Sequence, residues 1–169
     1  SVGSVNKAVA SLQKKGLLNS SAAPTSAGIA ALEPYRVDNA IILAAGMATR
    51  FAPLSFEKPK ALFEVQGEIL IERLIRQLKE AGIDEAGVPE IILVVGYRKE
   101  QFAYLADKFG VKIAVSNDYS KRNNHSSLLA VKSSFGNTYL CSSDLYFEKN
   151  VFSPYSYGTW VTCVKKGGP

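Results

Sequence analysis

Two kinds of apolar run alternate along the chain after residue 38. Short continuous runs, such as residues 40–45 and 90–95, are typical of strands that are buried on both faces of a parallel sheet. Between them, stretches such as residues 69–82 repeat apolar positions at helical spacing and end at a glycine. The pattern predicts strands at 40–45, 90–95, 111–115 and 138–141, a candidate fifth strand at 159–164, and helices at 69–82, 99–109 and 125–135.

Strands that alternate with helices at this rhythm indicate βαβ units. We therefore predict an α/β fold with a mainly parallel sheet between two layers of helices. In such folds ligands bind at the carboxyl ends of the strands. We therefore expect the functional residues in the loops that follow the strands.

The first 36 residues differ from the rest in composition and are rich in serine and alanine. Apolar spacing predicts a helix over residues 2–15 that ends at Gly16, and Thr25 is placed to cap a second helix over 27–32. We place a boundary near Asp38, which divides the chain into residues 1–36 and a second domain at 37–169. The first segment is too short to build a core alone.

Composition narrows the class of protein. With 47% apolar and 21% charged residues among 169, disorder is excluded as the dominant state. No apolar run is long enough to cross a membrane and no signal peptide is recognisable, so the expectation is a cytoplasmic protein without a membrane partner. Cys141 and Cys163 lie in apolar runs and are expected to be buried free thiols.

Net charge is concentrated at the front of the chain. Residues 1–36 hold four basic side chains against one acidic one, although the whole chain has a formal charge of +5. Such an excess is compatible with binding to nucleic acid or to phosphorylated ligands and does not distinguish between the two.

The segment with the most candidate functional residues follows the first predicted strand and reads LAAGMATRFAPLSFEKPKAL, at residues 43–62. Gly46 lets a ligand approach the backbone closely, and Arg50, Lys58 and Lys60 place three cations in one loop. The segment is neither a Walker A loop nor a GxGxxG fingerprint. From the residues alone, Lys58 can be either a ligand contact or a surface lysine.

This segment resembles the signature LAAGxGTRxxPLTxxxPKxL of the nucleotidyltransferases that join a nucleoside triphosphate to a phosphorylated small molecule. The resemblance covers roughly residues 38–150 and includes the segments VVGYRKEQF, SNDYSKRNNHSSL and CSSDLYF. Within that group the chain looks most like the bacterial phosphocholine cytidylyltransferases of the LicC type. The resemblance implies a Rossmann-like fold, CTP and phosphocholine as substrates, release of pyrophosphate, and Mg²⁺ as cofactor.

Site residues follow from charge and from this resemblance. The planar fork of Arg50 suits the β- and γ-phosphates, and the compact charge of Lys60 suits the α-phosphate or the incoming phosphate, so these two cations are the expected catalytic residues. Asp144 follows a predicted strand and is the expected Mg²⁺ ligand. The resemblance implies a nucleotide site formed by Leu43, Ala44, Ala45, Gly46, Arg50, Lys60, Tyr97, Asn123 and Asn124.

Aromatic residues suggest where an acceptor with a quaternary ammonium group would bind. The candidates for contact with the acceptor are Tyr119, Tyr146 and Trp160. His125, the single histidine, is expected to be structural or exposed.

The sequence departs from the family pattern in two places. Ala48 stands where a second glycine is usual, and alanine, the smallest replacement, fits the loop on the condition that its φ is negative. Enzymes of this type commonly use a second acidic metal ligand late in the sequence, and no obvious candidate precedes Pro169, so the second domain is expected to be incomplete at its C-terminus.

Two alternative functions remain open from sequence. One keeps the chemistry but takes a sugar 1-phosphate as acceptor and UTP or dTTP as donor. The other is a DNA-binding regulator with a ligand-sensing domain, because residues 1–36 resemble part of a winged helix-turn-helix. The oligomeric state is not predicted.

Overall fold

The computed structural model describes residues 2–83 and 90–162, and within 119–124 it describes the backbone. Contacts divide these residues into two compact units: residues 2–36 together with 155–162, and residues 37–154.

The second unit is shorter than the domain that we expect from sequence, because the chain after Pro154 pairs with the first unit. Arg36 forms an antiparallel bridge with Tyr155, and the Ser156 N–H donates to the carbonyl of Tyr35 (2.8 Å).

In the first unit, both predicted helices are confirmed. Helix α1 spans Val2–Lys14 and α2 spans Ser26–Ala30. The hydroxyl of Thr25 accepts the N–H of Gly28 (3.0 Å), which is the predicted cap. The resemblance of this segment to a winged helix-turn-helix stays a prediction.

The described strands of the second unit are β1 (Asn39–Ala44), β2 (Glu64–Val65), β3 (Glu68–Ile69), β4 (Glu90–Val95), β5 (Lys112–Val115) and β6 (Thr138–Ser142). Four of them form a parallel sheet with the strand order β5-β4-β1-β6. The other two, β2 and β3, form a short antiparallel hairpin. The predicted α/β fold with a parallel sheet is confirmed.

Helices flank the sheet because the central strands are apolar on both faces. Side chains of one face, such as Ile42, pack with Leu74 and Leu105 from two helices, and Ile41 on the other face packs with Val131. The helices of this unit are α3 (Leu54–Glu57), α4 (Leu70–Glu80), α5 (Tyr104–Phe109) and α6 (Tyr119–Ala130). Single 3-10 turns lie at Thr49–Phe51, Lys60–Leu62, Lys99–Phe102 and Lys132–Ser134.

Two predicted elements differ from the structure. The predicted fifth strand is wrong where it is described, since residues 159–162 have no regular structure, and residues 163–164 lie outside the described part. Helix α6 begins at Tyr119, six residues before the predicted start. Its first two turns are polar, so apolar spacing could not signal them.

The described helices include none that is long and apolar enough to cross a membrane. Cys141 is a buried free thiol, as predicted, and burial raises its pKa to about 12. Cys163 lies outside the described residues. His125 is exposed, on α6.

A buried carboxylate joins α4 to α5. Glu72 is only 6% exposed, and it accepts hydrogen bonds from Lys108 Nζ (2.8 Å) and from the Tyr104 hydroxyl (3.0 Å). Burial alone would raise the pKa of Glu72, but the hydrogen bonds from Lys108 and Tyr104 outweigh it and hold the pKa below its usual value.

We therefore expect acid to destabilise the protein partly through Glu72. A depressed native pKa stabilises the fold above the unfolded value, about pH 4.3, and this contribution is lost as the pH falls through the lower native pKa. The free energy of unfolding, measured by urea denaturation between about pH 5 and pH 3, should fall by at most about 1.4 kcal/mol per pH unit for this group. In Glu72→Gln the slope should be shallower, and an unchanged slope would contradict the assignment.

Candidate functional site

The described part of the second unit contains a cleft of about 150 Å³ at the carboxyl ends of β1 and β6. The topology explains its place. After β1 the chain builds β4 and β5 on one side, and it then crosses back to add β6 on the other, so the connections diverge between β1 and β6. Parallel α/β sheets bind ligands at this kind of switch point. The cleft is lined by Leu43, Ala44, Gly46, Ala48, Arg50, Phe51, Pro59, Lys60, Ala61, Ser142, Ser143 and Asp144.

Hydrogen bonds between backbones prolong the strand pairing at the floor of the cleft. The Ser143 N–H donates to the carbonyl of Leu43 (3.1 Å), and the Tyr97 N–H donates to the carbonyl of Ala45 (3.1 Å). These bonds tie the loop after β1 to the ends of both neighbouring strands. The start of the loop is therefore held by the sheet itself.

Gly46 faces open space. A Cβ built on this residue would meet no atom within 4 Å, and its φ lies outside the left-handed region. Neither packing within the described chain nor backbone conformation accounts for a glycine here. An atom group that enters the cleft can approach this backbone more closely than it could approach any larger residue.

Ala48 does not meet the condition of a negative φ. Its φ is +49° and its ψ is +43°, which is the left-handed region that favours glycine. The missing second glycine of the family pattern therefore costs conformational energy in this chain.

Replacing Ala48 with glycine should relieve that strain. We expect the free energy of unfolding of Ala48→Gly, measured by urea denaturation, to rise by about 0.5–1 kcal/mol, since the relief exceeds the entropy that glycine adds to the unfolded chain. Ala52, with φ −58° in the same loop, is the matched control, and Ala52→Gly should not stabilise the protein. A loss of stability in Ala48→Gly would contradict this reasoning.

Lys60 and Asp144 form an ion pair across the cleft. Lys60 begins the 3-10 turn after the buried Pro59, and its Nζ donates to Asp144 Oδ2. The lysine also lies over the ring of Phe51, with 4.4 Å between Nζ and the ring centroid. The structure thus brings together the predicted catalytic cation and the predicted metal ligand, which are 84 residues apart in the chain.

The carboxylate of Asp144 is held in its ionised form. Burial would raise its pKa, but hydrogen bonds from Lys60 and from the Ser142 hydroxyl outweigh burial and lower the pKa from its usual value. Asp144 is therefore charged at neutral pH, as a metal ligand or a lysine partner must be.

Arg50 lines the cleft and is exposed, and among the described residues no carboxylate pairs with it. This leaves its guanidinium available to an anion. Lys58 is exposed as well but does not line the cleft, which favours the surface interpretation of this lysine.

Most of the predicted site residues that can be located lie together. Leu43, Ala44, Gly46, Arg50, Lys60 and Asp144 line the cleft. Ala45 and Tyr97 lie directly beside it, joined by the hydrogen bond given above. The side chains of Tyr119, Asn123 and Asn124 fall outside the described residues.

The two remaining aromatic candidates do not line the cleft. The Tyr146 hydroxyl donates to Gln66 Oε1 (2.7 Å), and the guanidinium of Arg73 lies 4.7 Å from the ring centroid of Tyr146, so one ring face already holds a cation. Trp160 belongs to the first compact unit, whereas the cleft is built entirely from the second. Acceptor contact by either residue stays a prediction.

Sequence reasoning missed Phe51, Ser142 and Ser143 among the residues that line the cleft. The available signals were their positions, since the serines directly precede Asp144 and Phe51 directly follows Arg50. Phe51 lies between Arg50 and Lys58 in the sequence, where core packing is a poor explanation for a large apolar side chain. This signal could have identified it.

A magnesium ion would find one carboxylate in this cleft. The described residues contain no group of three acidic, histidine or cysteine side chains close enough to hold a metal, and the expected second acidic ligand is not found among them. The chemistry of Asp144 nevertheless suits Mg²⁺, because this ion is commonly bound by one or two carboxylates together with phosphate oxygens and water.

A parallel α/β fold with a glycine loop, a lysine and an aspartate at its switch point is the arrangement of a nucleotidyltransferase domain. The chain belongs to the family of MobA-like NTP transferase domains, which matches residues 40–150. The family that we expect from the loop at residues 43–62 is thereby confirmed.

Curated relatives make the comparison more specific. The choline-phosphate cytidylyltransferase of Streptococcus pneumoniae is 46% identical over 113 residues, which are 67% of this chain and 47% of that protein. The 2-aminoethylphosphonate cytidylyltransferase of Lancefieldella rimae is 41% identical over 120 residues, 69% of this chain and 47% of that protein. The chain thus spans about half the length of these relatives.

A solved structure supports the same likeness. The CTP:phosphocholine cytidylyltransferase of Streptococcus pneumoniae (LicC) superposes with a TM-score of 0.65 at 46% identity. The superposition covers 70% of this chain and 50% of that one.

Proposed function

We propose that this protein transfers a cytidylyl group from CTP to phosphocholine, with Mg²⁺ as cofactor, and releases pyrophosphate. The relative from Streptococcus pneumoniae supports both the base and the acceptor, and the relative from Lancefieldella rimae supports the base. The observation that carries the proposal is the pairing of Lys60 with Asp144 beside the open backbone of Gly46, because it places a cation and a metal-binding carboxylate at one ligand cleft.

The reaction needs little covalent chemistry from the protein. A phosphate oxygen of the acceptor attacks the α-phosphorus of CTP and forms a new P–O bond. The bond from that phosphorus to the oxygen bridging to the β-phosphorus breaks, and pyrophosphate leaves with the electron pair. Because two polyanions must meet, positioning and neutralisation supply most of the catalysis.

Three residues of the cleft have separate roles in binding the nucleotide. Lys60 donates to a phosphate oxygen close to the reacting phosphorus, and Arg50 at the rim holds the β- and γ-phosphates with its planar fork. The open backbone at Gly46 receives the nucleoside. Without substrate, Lys60 and Asp144 form an ion pair with each other at the cleft. Both charged groups are therefore already in place when the nucleotide binds.

Asp144 is the residue that would hold Mg²⁺, together with phosphate oxygens and water. When bound, the ion would neutralise charge on the phosphates. Ser142 donates to the other carboxylate oxygen, Oδ1, and fixes the orientation of the group.

A second acceptor is favoured by one observation. The relative from Lancefieldella rimae is named for 2-aminoethylphosphonate, which shares with phosphocholine a phosphorus acid group and a nitrogen cation on a short chain. DNA binding by residues 1–36 is not part of the proposal, since nothing in the described residues supports it.

The test is a pyrophosphate-release assay over a grid of donors and acceptors. The donors are CTP, UTP and dTTP, and the acceptors are phosphocholine, 2-aminoethylphosphonate and glucose 1-phosphate, each with Mg²⁺. We expect turnover with CTP and phosphocholine, and a larger rise in melting temperature with CTP than with UTP. Turnover confined to UTP or dTTP with glucose 1-phosphate would replace the proposal by its sugar alternative, and equal melting shifts with all nucleotides would contradict the choice of base.

A further inference from the structure

We propose that Phe51 is a positioning residue for Lys60, whose ring keeps the lysine ammonium in the cleft without neutralising its charge. This inference rests on the proposed function in one respect, namely that Lys60 meets a phosphate. The observation behind it is the distance of 4.4 Å between Lys60 Nζ and the centroid of the Phe51 ring. This distance lies within the range of a cation–π contact.

The ring is held from two sides. The backbone N–H of Phe51 closes a turn on the carbonyl of Ala48 (2.9 Å), and its ring makes an edge-type contact with the ring of Phe63, with 6.1 Å between the centroids and 60° between the planes. The Phe63 N–H in turn donates to the carbonyl of Lys60 (3.0 Å). The ring and the lysine therefore lie on two short turns that Phe63 connects.

Core packing does not account for Phe51. The residue is 41% exposed and lines the cleft, so its burial yields only part of what a phenylalanine can contribute to stability. The ring of Phe63 makes only an edge-type contact with Phe51 among these two partners, and the face of the Phe51 ring contacts the ammonium of Lys60. The placement is better explained by the electrostatics of that face than by apolar burial.

The two partners of Lys60 differ in charge, and this difference defines the role of the ring. The carboxylate of Asp144 neutralises the ammonium and, under the proposed function, becomes a ligand of Mg²⁺. The face of Phe51 attracts the ammonium through its quadrupole without adding net charge. It can therefore hold Lys60 at the cleft while leaving the full positive charge available to an anion.

Pyrophosphate binding without metal tests this role. Calorimetry on the whole chain in EDTA should show that Phe51→Leu, which removes the ring face, weakens pyrophosphate binding about fivefold. Phe51→Trp, which restores an aromatic face, should bind within about twofold of the wild type. Phe56→Leu is the matched control, because Phe56 is 58% exposed on the neighbouring helix α3 but does not line the cleft, and it should bind like the wild type.

A double-mutant cycle separates positioning from packing. In a Lys60→Met background, Phe51→Leu should cause no further loss of pyrophosphate binding. An equal loss in both backgrounds, or wild-type affinity in Phe51→Leu, would overturn this inference and leave the proposed function standing. If the wild-type chain does not bind pyrophosphate in EDTA, this inference is wrong, whereas the proposed function, which includes Mg²⁺, is decided by the pyrophosphate-release assay.

Discussion

Lys60→Met is expected to lower kcat/KM for cytidylyl transfer by about a hundredfold to a thousandfold, the usual loss when one preorganised donor to a developing charge is removed. Methionine keeps the length and the apolar stem of lysine and removes only the ammonium. The Lys60–Asp144 pair is partly exposed, so its removal should change the free energy of unfolding by less than about 1 kcal/mol. The measurement is steady-state pyrophosphate release, with the melting temperature taken in parallel.

Lys58→Met provides the control for that result. Lys58 has the same charge and lies two residues earlier in the same loop, but it is exposed and does not line the cleft. We expect kcat/KM of Lys58→Met to stay within about threefold of the wild type, since exposed charges interact weakly through water. Similar losses in both variants would mean that the loop acts through its overall charge, and the specific role of Lys60 would be refuted.

Asp144→Asn should have the second large effect. Asparagine keeps the shape of the side chain and an oxygen that can accept from Ser142, but it cannot carry the charge that Mg²⁺ requires. We expect kcat to fall at least about a hundredfold and the dependence of the rate on Mg²⁺ concentration to shift to higher concentration. Titrating the rate with MgCl₂ gives both quantities.

Ser142→Ala separates the charge of Asp144 from its orientation. This variant removes one hydrogen bond to the carboxylate and leaves the charge in place. Its rate should fall by about tenfold or less, in line with the net value of about 0.5–1.5 kcal/mol for a typical intramolecular hydrogen bond, and its Mg²⁺ dependence should change little. An Asp144→Asn variant with wild-type Mg²⁺ dependence would refute the metal assignment.

Parts of the fold could be predicted because their signals are local. The strand at residues 90–95 is a continuous apolar run, and its predicted and observed bounds agree. The start of α6 at Tyr119 could not be predicted, because its first turns carry no apolar face for periodicity to detect. The hairpin of β2 and β3 was missed for a different reason: two residues per strand are too few for any pattern.

Parts of the site could be predicted for a similar reason. Gly46, Arg50 and Lys60 occur within 15 residues of one another, so their cluster is visible in one loop. The sequence set a condition at Ala48, a negative φ, which the structure does not meet, because φ at this position follows the path of the folded loop and is not revealed by the type of residue. The role of Phe51 could not be predicted at all, since it depends on where the Lys60 side chain points.

The amino-acid sequence by itself determined the class of fold, the loop that carries the cations and the membership of the family, because apolar periodicity and the spacing of glycine, arginine and lysine are properties of neighbouring residues. Only the tertiary structure decided that Lys60 meets Asp144, and that both face the open backbone of Gly46. The physical reason is the crossover that adds β6 beside β1: it brings the ends of two distant strands to one edge of the sheet, where their side chains share a cleft.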